Sequence, residues 1–153
     1  MMKYRIAVLA VAVGATFCVQ AQVKPEDQIK LRKAAYSLMG YTFGGLDAMA
    51  NGKRPFNKEE AARQAELLAH LARIPKGFFG EGTGPGAIET RAKPEIWTNR
   101  ADFDAKMDKM VTATANLAQA ANSAADAGGL KKAVSDADSA CAACHDDYRV
   151  KRR

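Results

Sequence analysis

Two thiols and an imidazole stand close together near the end of the sequence, in the run "SACAACHDDYRVKRR", as Cys141, Cys144 and His145. On a helix, residues three and four apart share a face. At about 100° per residue, Cys144 falls about 60° to one side of Cys141 and His145 about 40° to the other. Tyr148, Leu130, Val134 and Ala137 lie in the same sector, so one face carries two thiols, one imidazole and an apolar stripe. A flat apolar cofactor suits such a face. Two thiols one turn apart can form thioethers with the two vinyl groups of haem, and the next residue then offers its imidazole to the iron. Cys141 and Cys144 are therefore the candidate attachment points of one covalent haem c, and His145 the candidate axial ligand.

Three other chemistries use such residues. A thioredoxin-type redox pair wants a preceding strand in a βαβ context, and the sequence shows none. A zinc site needs about four ligands, and His70 is the only other histidine. A plain disulfide would close a very small ring. Downstream of His145, "DDYRVKRR" holds neither Met nor His, so a sixth iron ligand would have to come from upstream. Asp146 and Asp147 diverge by about 100° on a helix and read as solvated.

The elements that must position these groups are helices. No stretch alternates in the manner of a strand, whereas helical periodicity with start and stop signals occurs four times. The first helix is predicted from about Pro25 to Ala50: proline suits a first turn, Glu26 and Asp27 complement the dipole, and Asn51-Gly52 stops it. The second is predicted from about Lys58 to Ile74, with Asn57 and Glu60 as a capping-box-like pair and Pro75 as terminator. Residues 75–98, rich in Gly and Pro, form one long connection. Its "EGTGPG" lacks the Gly-Lys-Ser/Thr of a phosphate loop and reads as a plain loop. The third helix is predicted from about Arg100 to Ala127, broken by Gly128-Gly129, and the fourth from Leu130 to about Arg149. The fold class that follows is all-α, an antiparallel four-helix bundle with covalently bound haem.

The first helix is the candidate for the other side of the haem. Arg32, Tyr36, Met39, Phe43 and Leu46 share one face, and Leu31, Ala35, Leu38, Thr42 and Met49 form a second apolar stripe beside it. A helix this broadly apolar buries more than one face. Met39 is either a sixth iron ligand or a core methionine filling a gap. His70 is either a second axial ligand or an ordinary histidine. Tyr36 is either a lid over the iron or a core tyrosine.

Residues 1–21 read as a signal peptide, with Lys3 and Arg5 ahead of "IAVLAVAVGATFCV" and "VQA" at the point of cleavage, after Ala21. The apolar run is short for a membrane span, which needs about 20 residues. Phe17, just before Cys18, argues against a lipoprotein signal. Cleavage would leave 132 residues, 22–153, as one domain. They keep 21 of the 23 basic residues and all 17 acidic ones, for a net charge of +4. That charge is mild and its only basic cluster is a short tail, which argues against nucleic-acid binding. The mature chain is expected to be periplasmic, with no membrane insertion.

The sequence resembles the cytochrome c′ family, the four-helix-bundle class with its haem motif near the C-terminus. The likeness covers the whole of residues 22–153 and is carried by "KPEDQIKLRKAAYSLM", "AKPEIW" (92–97) and "CAACHDDYR". It implies a homodimer with the first helix in the interface. It also implies a mostly high-spin, five-coordinate haem with His145 as sole protein ligand. Arg32 matches the family's arginine near the haem propionates, and Arg149 a basic residue on the proximal side. Lys33 and Thr90 fall where relatives often touch the haem, and Tyr36 falls at the distal position over the vacant iron site. The family is associated with binding of nitric oxide and carbon monoxide and with electron transfer.

Two readings follow. The first is a periplasmic haem protein that binds small diatomic gases and exchanges electrons. The second is a low-spin carrier ligated by His145 and Met39 that only transfers electrons. An unidentified redox partner could dock on Arg149, Lys151, Arg152 and Arg153, which also read as a solvated tail. Apart from the iron, no nucleophile–base or paired-carboxylate arrangement stands out, so an enzyme is not expected.

Overall fold

The computed structural model describes residues 23–86 and 88–151. The predicted signal peptide and its cleavage point, and Arg152 and Arg153 of the tail, lie outside these residues. Four long helices make up the body: α1 (Pro25–Ala50), α2 (Lys58–Leu71), α4 (Arg100–Ser123) and α5 (Gly128–Tyr148). A 3-10 turn (Pro75–Phe78) and a short helix α3 (Glu95–Thr98) interrupt the long connection. The helices close a ring in which α1 meets α2 and α5, and α4 meets α2 and α5; the α1–α5 seam is the least closely packed of the four.

The first helix begins and ends where expected. Pro25 occupies its first turn with Glu26 and Asp27, and Gly52 follows its end at φ +70°, a left-handed conformation that suits glycine. Asn57 caps α2, its side chain accepting the Glu60 backbone N–H at 2.8 Å.

Three boundaries differ from the sequence reading. The second helix stops at Leu71 rather than Ile74. Pro75 has no N–H to give the Leu71 carbonyl, and the Ile74 N–H takes that carbonyl at 3.1 Å in a tighter turn. The fourth element of the ring also starts earlier: Gly128-Gly129 opens α5 instead of merely breaking α4. Asp126 Oδ1 accepts the Gly129 N–H at 3.2 Å, as a cap would. A Cβ on Gly129 would come within 3.1 Å of the Ala124 Cβ, so the close crossover from α4 needs glycine there. The third long helix ends at Ser123 rather than Ala127, with Ala124 already extended. Ser123 Oγ donates to the Gln119 and Ala120 carbonyls in its last turn.

The core runs down the bundle axis. Leu46, Met49, Leu68, Phe103, Met107, Leu117 and Leu130 are fully buried. At the end where α1 and α4 begin, the core becomes aromatic. Phe79 packs edge-on against Phe103 at 4.8 Å, and Phe103 against Tyr148 at 5.4 Å. Such pairs add about 0.5–1.5 kcal/mol each beyond the area they bury.

Candidate functional site

The face of α5 read from the sequence is the face that turns inward. Leu130, Val134, Ala137, Cys144 and Tyr148 are buried, and Cys141 and His145 are half-buried at its margin. Neither Cys141 nor Cys144 is in a disulfide. Burial raises both thiols: that of Cys144 is pushed up to about 11, and that of Cys141 rises further from the charge of Asp138. Both therefore stay protonated at neutral pH. Burial is also the main reason that His145 titrates below the usual histidine range, with the cations Arg149 and Arg91 adding to the effect. A neutral imidazole is the form that ligates a metal.

Across the seam, α1 presents Tyr36. Its hydroxyl donates to Met107 Sδ at 3.5 Å and its ring meets Phe79 edge-on at 6.5 Å. Burial is the main reason its phenol is pushed up, and the charges of Cys144 and Cys141 add to the shift. Met39 is buried in the core beside this end of α1, at 6% exposure. His70, by contrast, is exposed on the last turn of α2.

Arg32, Lys33 and Thr90 also meet, around the long connection. Arg32 is only 2% exposed. Its guanidinium donates to the Phe78 carbonyl (3.1 Å), the Thr83 carbonyl (2.6 Å) and Thr90 Oγ1 (2.9 Å). It also lies 4.4 Å over the Phe79 ring. Burial lowers its pKa, without bringing it near neutrality for a guanidinium. Three of its five N–H groups are thus given to the loop. Lys33 reaches the Glu89 carbonyl at 3.4 Å and stays exposed.

Arg149 leaves α5 in an extended conformation and pairs with Ala92 in an isolated antiparallel bridge. The Lys93 N–H reaches the Tyr148 carbonyl at 3.0 Å and the Val150 N–H reaches the Arg91 carbonyl at 2.9 Å. Lys93 Nζ meanwhile donates to the Asp146 and Asp147 carbonyls, both at 3.0 Å, at the negative end of α5. Residues 91–93 therefore strap the exit of α5 beside His145. Sequence reasoning missed Arg91 and Lys93, which lie in the segment treated as loop. The run "AKPEIW" that marked the resemblance is this strap and α3. It also missed Asp102, which accepts the Tyr148 hydroxyl at 2.6 Å, and Lys106, which bridges Asp102 (3.3 Å) and Asp147 (3.1 Å). Asp146 and Asp147 are exposed, as predicted, although each meets a lysine.

Two unpaired thiols one helical turn apart with an imidazole next to them are what covalent attachment of haem requires of a chain. A family model described as cytochrome C′ matches residues 27–149. The chain belongs to the cytochrome c′ family. The cytochrome c′ of Rubrivivax gelatinosus is 39% identical over 128 residues, which cover 84% of this chain and 98% of that protein. Its crystal structure superposes with a TM-score of 0.78 at 37% identity, covering 83% of this chain and 98% of that one. A nitric oxide complex of a mutant cytochrome c prime from Alcaligenes xylosoxidans superposes at 0.77 with 34% identity, covering 86% and 99%. The fold class and family read from the sequence therefore hold. As a cytochrome c′ the chain carries haem c, covalently bound, and the residues of α5 fit that group.

Proposed function

We propose that this cytochrome c′ is an exported, periplasmic haem protein whose iron binds small diatomic gases, nitric oxide and carbon monoxide, and also exchanges electrons. When bound, haem supplies an iron centre that takes a gas ligand and changes oxidation state by one electron. Cys141 and Cys144 would hold it through thioethers, and His145 would be its protein ligand. Arg32 would pair with a propionate through its charge while three of its N–H groups hold the loop. Thr90 orients Arg32, Lys33 adds positive charge at the rim, and Arg149 and Arg91 bring cations to the proximal side.

The single observation that carries the five-coordinate reading is Tyr36. It stands on α1, the helix that meets α5 at the loosest seam of the bundle, with its hydroxyl tied to Met107 and its ring edge-on to Phe79. Tyr36 is the group that a gas would have to displace. Displacement sets a penalty common to all gases, so a ligand with strong intrinsic iron affinity is favoured over a weak one. The low-spin alternative rests on Met39, which is buried among apolar side chains and fits a core methionine as well as a ligand.

The mature chain would be a homodimer. Leu31 and Leu38 are each 44% exposed on α1, Tyr41 is 80% exposed, and Leu67 of α2 is 45% exposed. Leu38, Tyr41 and Leu67 line a groove between α1 and α2 on the outside of the bundle, rimmed by Glu60, Arg63 and Gln64. Among the described residues no helix is long and apolar enough to cross a membrane. The role proposed is gas binding and electron transfer, with an unidentified redox partner.

The optical spectrum of the reduced protein, with and without carbon monoxide, is the test. A high-spin spectrum that shifts on adding the gas supports the open site. A low-spin spectrum that does not respond supports Met39 ligation and overturns the gas-binding reading.

A further inference from the structure

Tyr148 is the one tyrosine among the described residues whose hydroxyl donates to a carboxylate. Its ring is 4% exposed, and its OH lies 2.6 Å from Asp102 Oδ2. Removing an electron from a phenol makes its proton strongly acidic, so oxidation inside a protein needs a base within hydrogen-bond reach. Tyr36 has only a thioether at 3.5 Å, and Trp97 Nε1 donates to the Gly80 carbonyl at 3.1 Å. Neither partner is a base. Tyr41 is 80% exposed on the outer face of α1.

The surroundings of Tyr148 complete a proton and electron path. Tyr148 follows Cys144 by one helical turn on the same buried face of α5. Lys106 holds Asp102 in place, and Asp102 is part-exposed, so a proton received there can pass to water. The hydrogen bond from Tyr148, followed by those from Lys106, lowers the Asp102 pKa, which keeps it ionised at neutral pH. Burial and then the same hydrogen bond push the Tyr148 phenol up to about 12, so at rest the proton stays on the phenol. Phe103 and Phe79 continue the aromatic contact inward from Tyr148.

We propose that Tyr148 is a redox-active tyrosine that supplies electrons to the haem site when a hydroperoxide oxidises it, releasing its phenolic proton to Asp102. This function rests on the haem attachment at Cys141 and Cys144 given above. One hydroperoxide, ROOH, takes two electrons and two protons as its O–O bond breaks to give ROH and water. Two successive oxidations of Tyr148 deliver them, each giving one electron inward and one proton through Asp102. Between them the phenoxyl radical is restored by a one-electron, one-proton donor of the ascorbate class. Oxidising equivalents are thereby drained from the cofactor before they damage it.

The experiment mixes ferric holoprotein with hydrogen peroxide, freezes it within milliseconds and records the electron paramagnetic resonance spectrum. Ring-deuterated tyrosine identifies a tyrosyl signal. The wild-type protein should show that signal, and Tyr148→Phe, which keeps the ring, should lose it and bleach faster under peroxide. Asp102→Asn keeps the shape but not the base, and should form the radical about a hundredfold more slowly, the scale of a lost proton acceptor. Asp102→Asn should retain the wild-type carbon monoxide spectrum, and either variant decides the matter if the other fails to fold. A tyrosyl signal unchanged in Tyr148→Phe, a rate unchanged in Asp102→Asn, or no tyrosyl signal in the wild type overturns the relay. A colourless purified chain would instead overturn the haem reading, and the relay with it.

Discussion

Replacing Arg32 by methionine should be among the most damaging single changes in the chain. The stem would still fill its slot in α1, but every donor would go. The Thr83 carbonyl accepts Nη2 at 2.6 Å, and Thr83 is fully buried, so it would lose its charged donor without gaining water. Orphaning one such acceptor costs about 1–3 kcal/mol. The Phe78 carbonyl (3.1 Å) and Thr90 Oγ1 (2.9 Å) are less enclosed and add less. Loss of the cation from the Phe79 face, 4.4 Å away, removes about 1 kcal/mol more. Against this stands relief of the cost of burying a guanidinium, visible in its lowered pKa. The net expectation is about 2–4 kcal/mol, a large part of the roughly 5–15 kcal/mol that holds a domain folded. Urea unfolding of the holoprotein, followed by far-ultraviolet circular dichroism, measures it. Limited proteolysis should also show new cutting between residues 80 and 91, because the loop loses its anchor to α1. A loss below about 1 kcal/mol with no new cleavage would refute the reasoning. Arg32→Lys keeps one charge but not the fork, and should fall between the two.

Tyr36→Ala removes the side chain over the α1 side of the seam and should raise the carbon monoxide affinity of the ferrous protein. The packing of one aromatic, about 1.5–3 kcal/mol, corresponds to roughly tenfold to a hundredfold; an unchanged titration would count against the steric filter. Leu38→Glu puts a charge in the exposed groove between α1 and α2, and sedimentation should show dimer converted to monomer. An unshifted dimer would place the interface elsewhere. Asp102 titrates below its unfolded value because of Tyr148 and Lys106. Its contribution to stability is therefore present above the ordinary carboxylate pKa of about 4 and is lost as pH falls through the lower folded value. Asp102→Asn should flatten the acid limb of melting temperature against pH, and an identical limb would show that the pair does not couple to folding.

The bundle was legible in the sequence because its signals are local. Pro25, Asn57 and Gly52 act through their own backbone, and the stripe Leu130, Val134, Ala137, Cys144, Tyr148 follows from one period. The ends that slipped were settled by tertiary contacts: Gly129 is needed where α5 crosses against Ala124, and Pro75 redirects the last turn of α2. The second stripe on α1 split for a similar reason. Ala35, Thr42 and Met49 are buried, while Leu31 and Leu38 are exposed, and no periodicity separates a core stripe from an outward one. Of the site, Cys141, Cys144 and His145 announced themselves by spacing alone. Tyr36 was marked by its place on the inward face of α1, whereas the haem-contact roles of Arg32, Lys33, Thr90 and Arg149 came only through the resemblance. Arg91, Lys93 and the Tyr148–Asp102 bond went unseen because they join segments about fifty residues apart, and nothing short-range encodes such a meeting.

The most direct test of covalent haem on α5 is the mass of the exported, purified protein under denaturing conditions. The red polypeptide should carry one haem that survives acid-acetone extraction, with peptide mapping placing both thioethers on Cys141 and Cys144. A colourless chain with the mass of the bare polypeptide, or haem removed by the solvent, would contradict it.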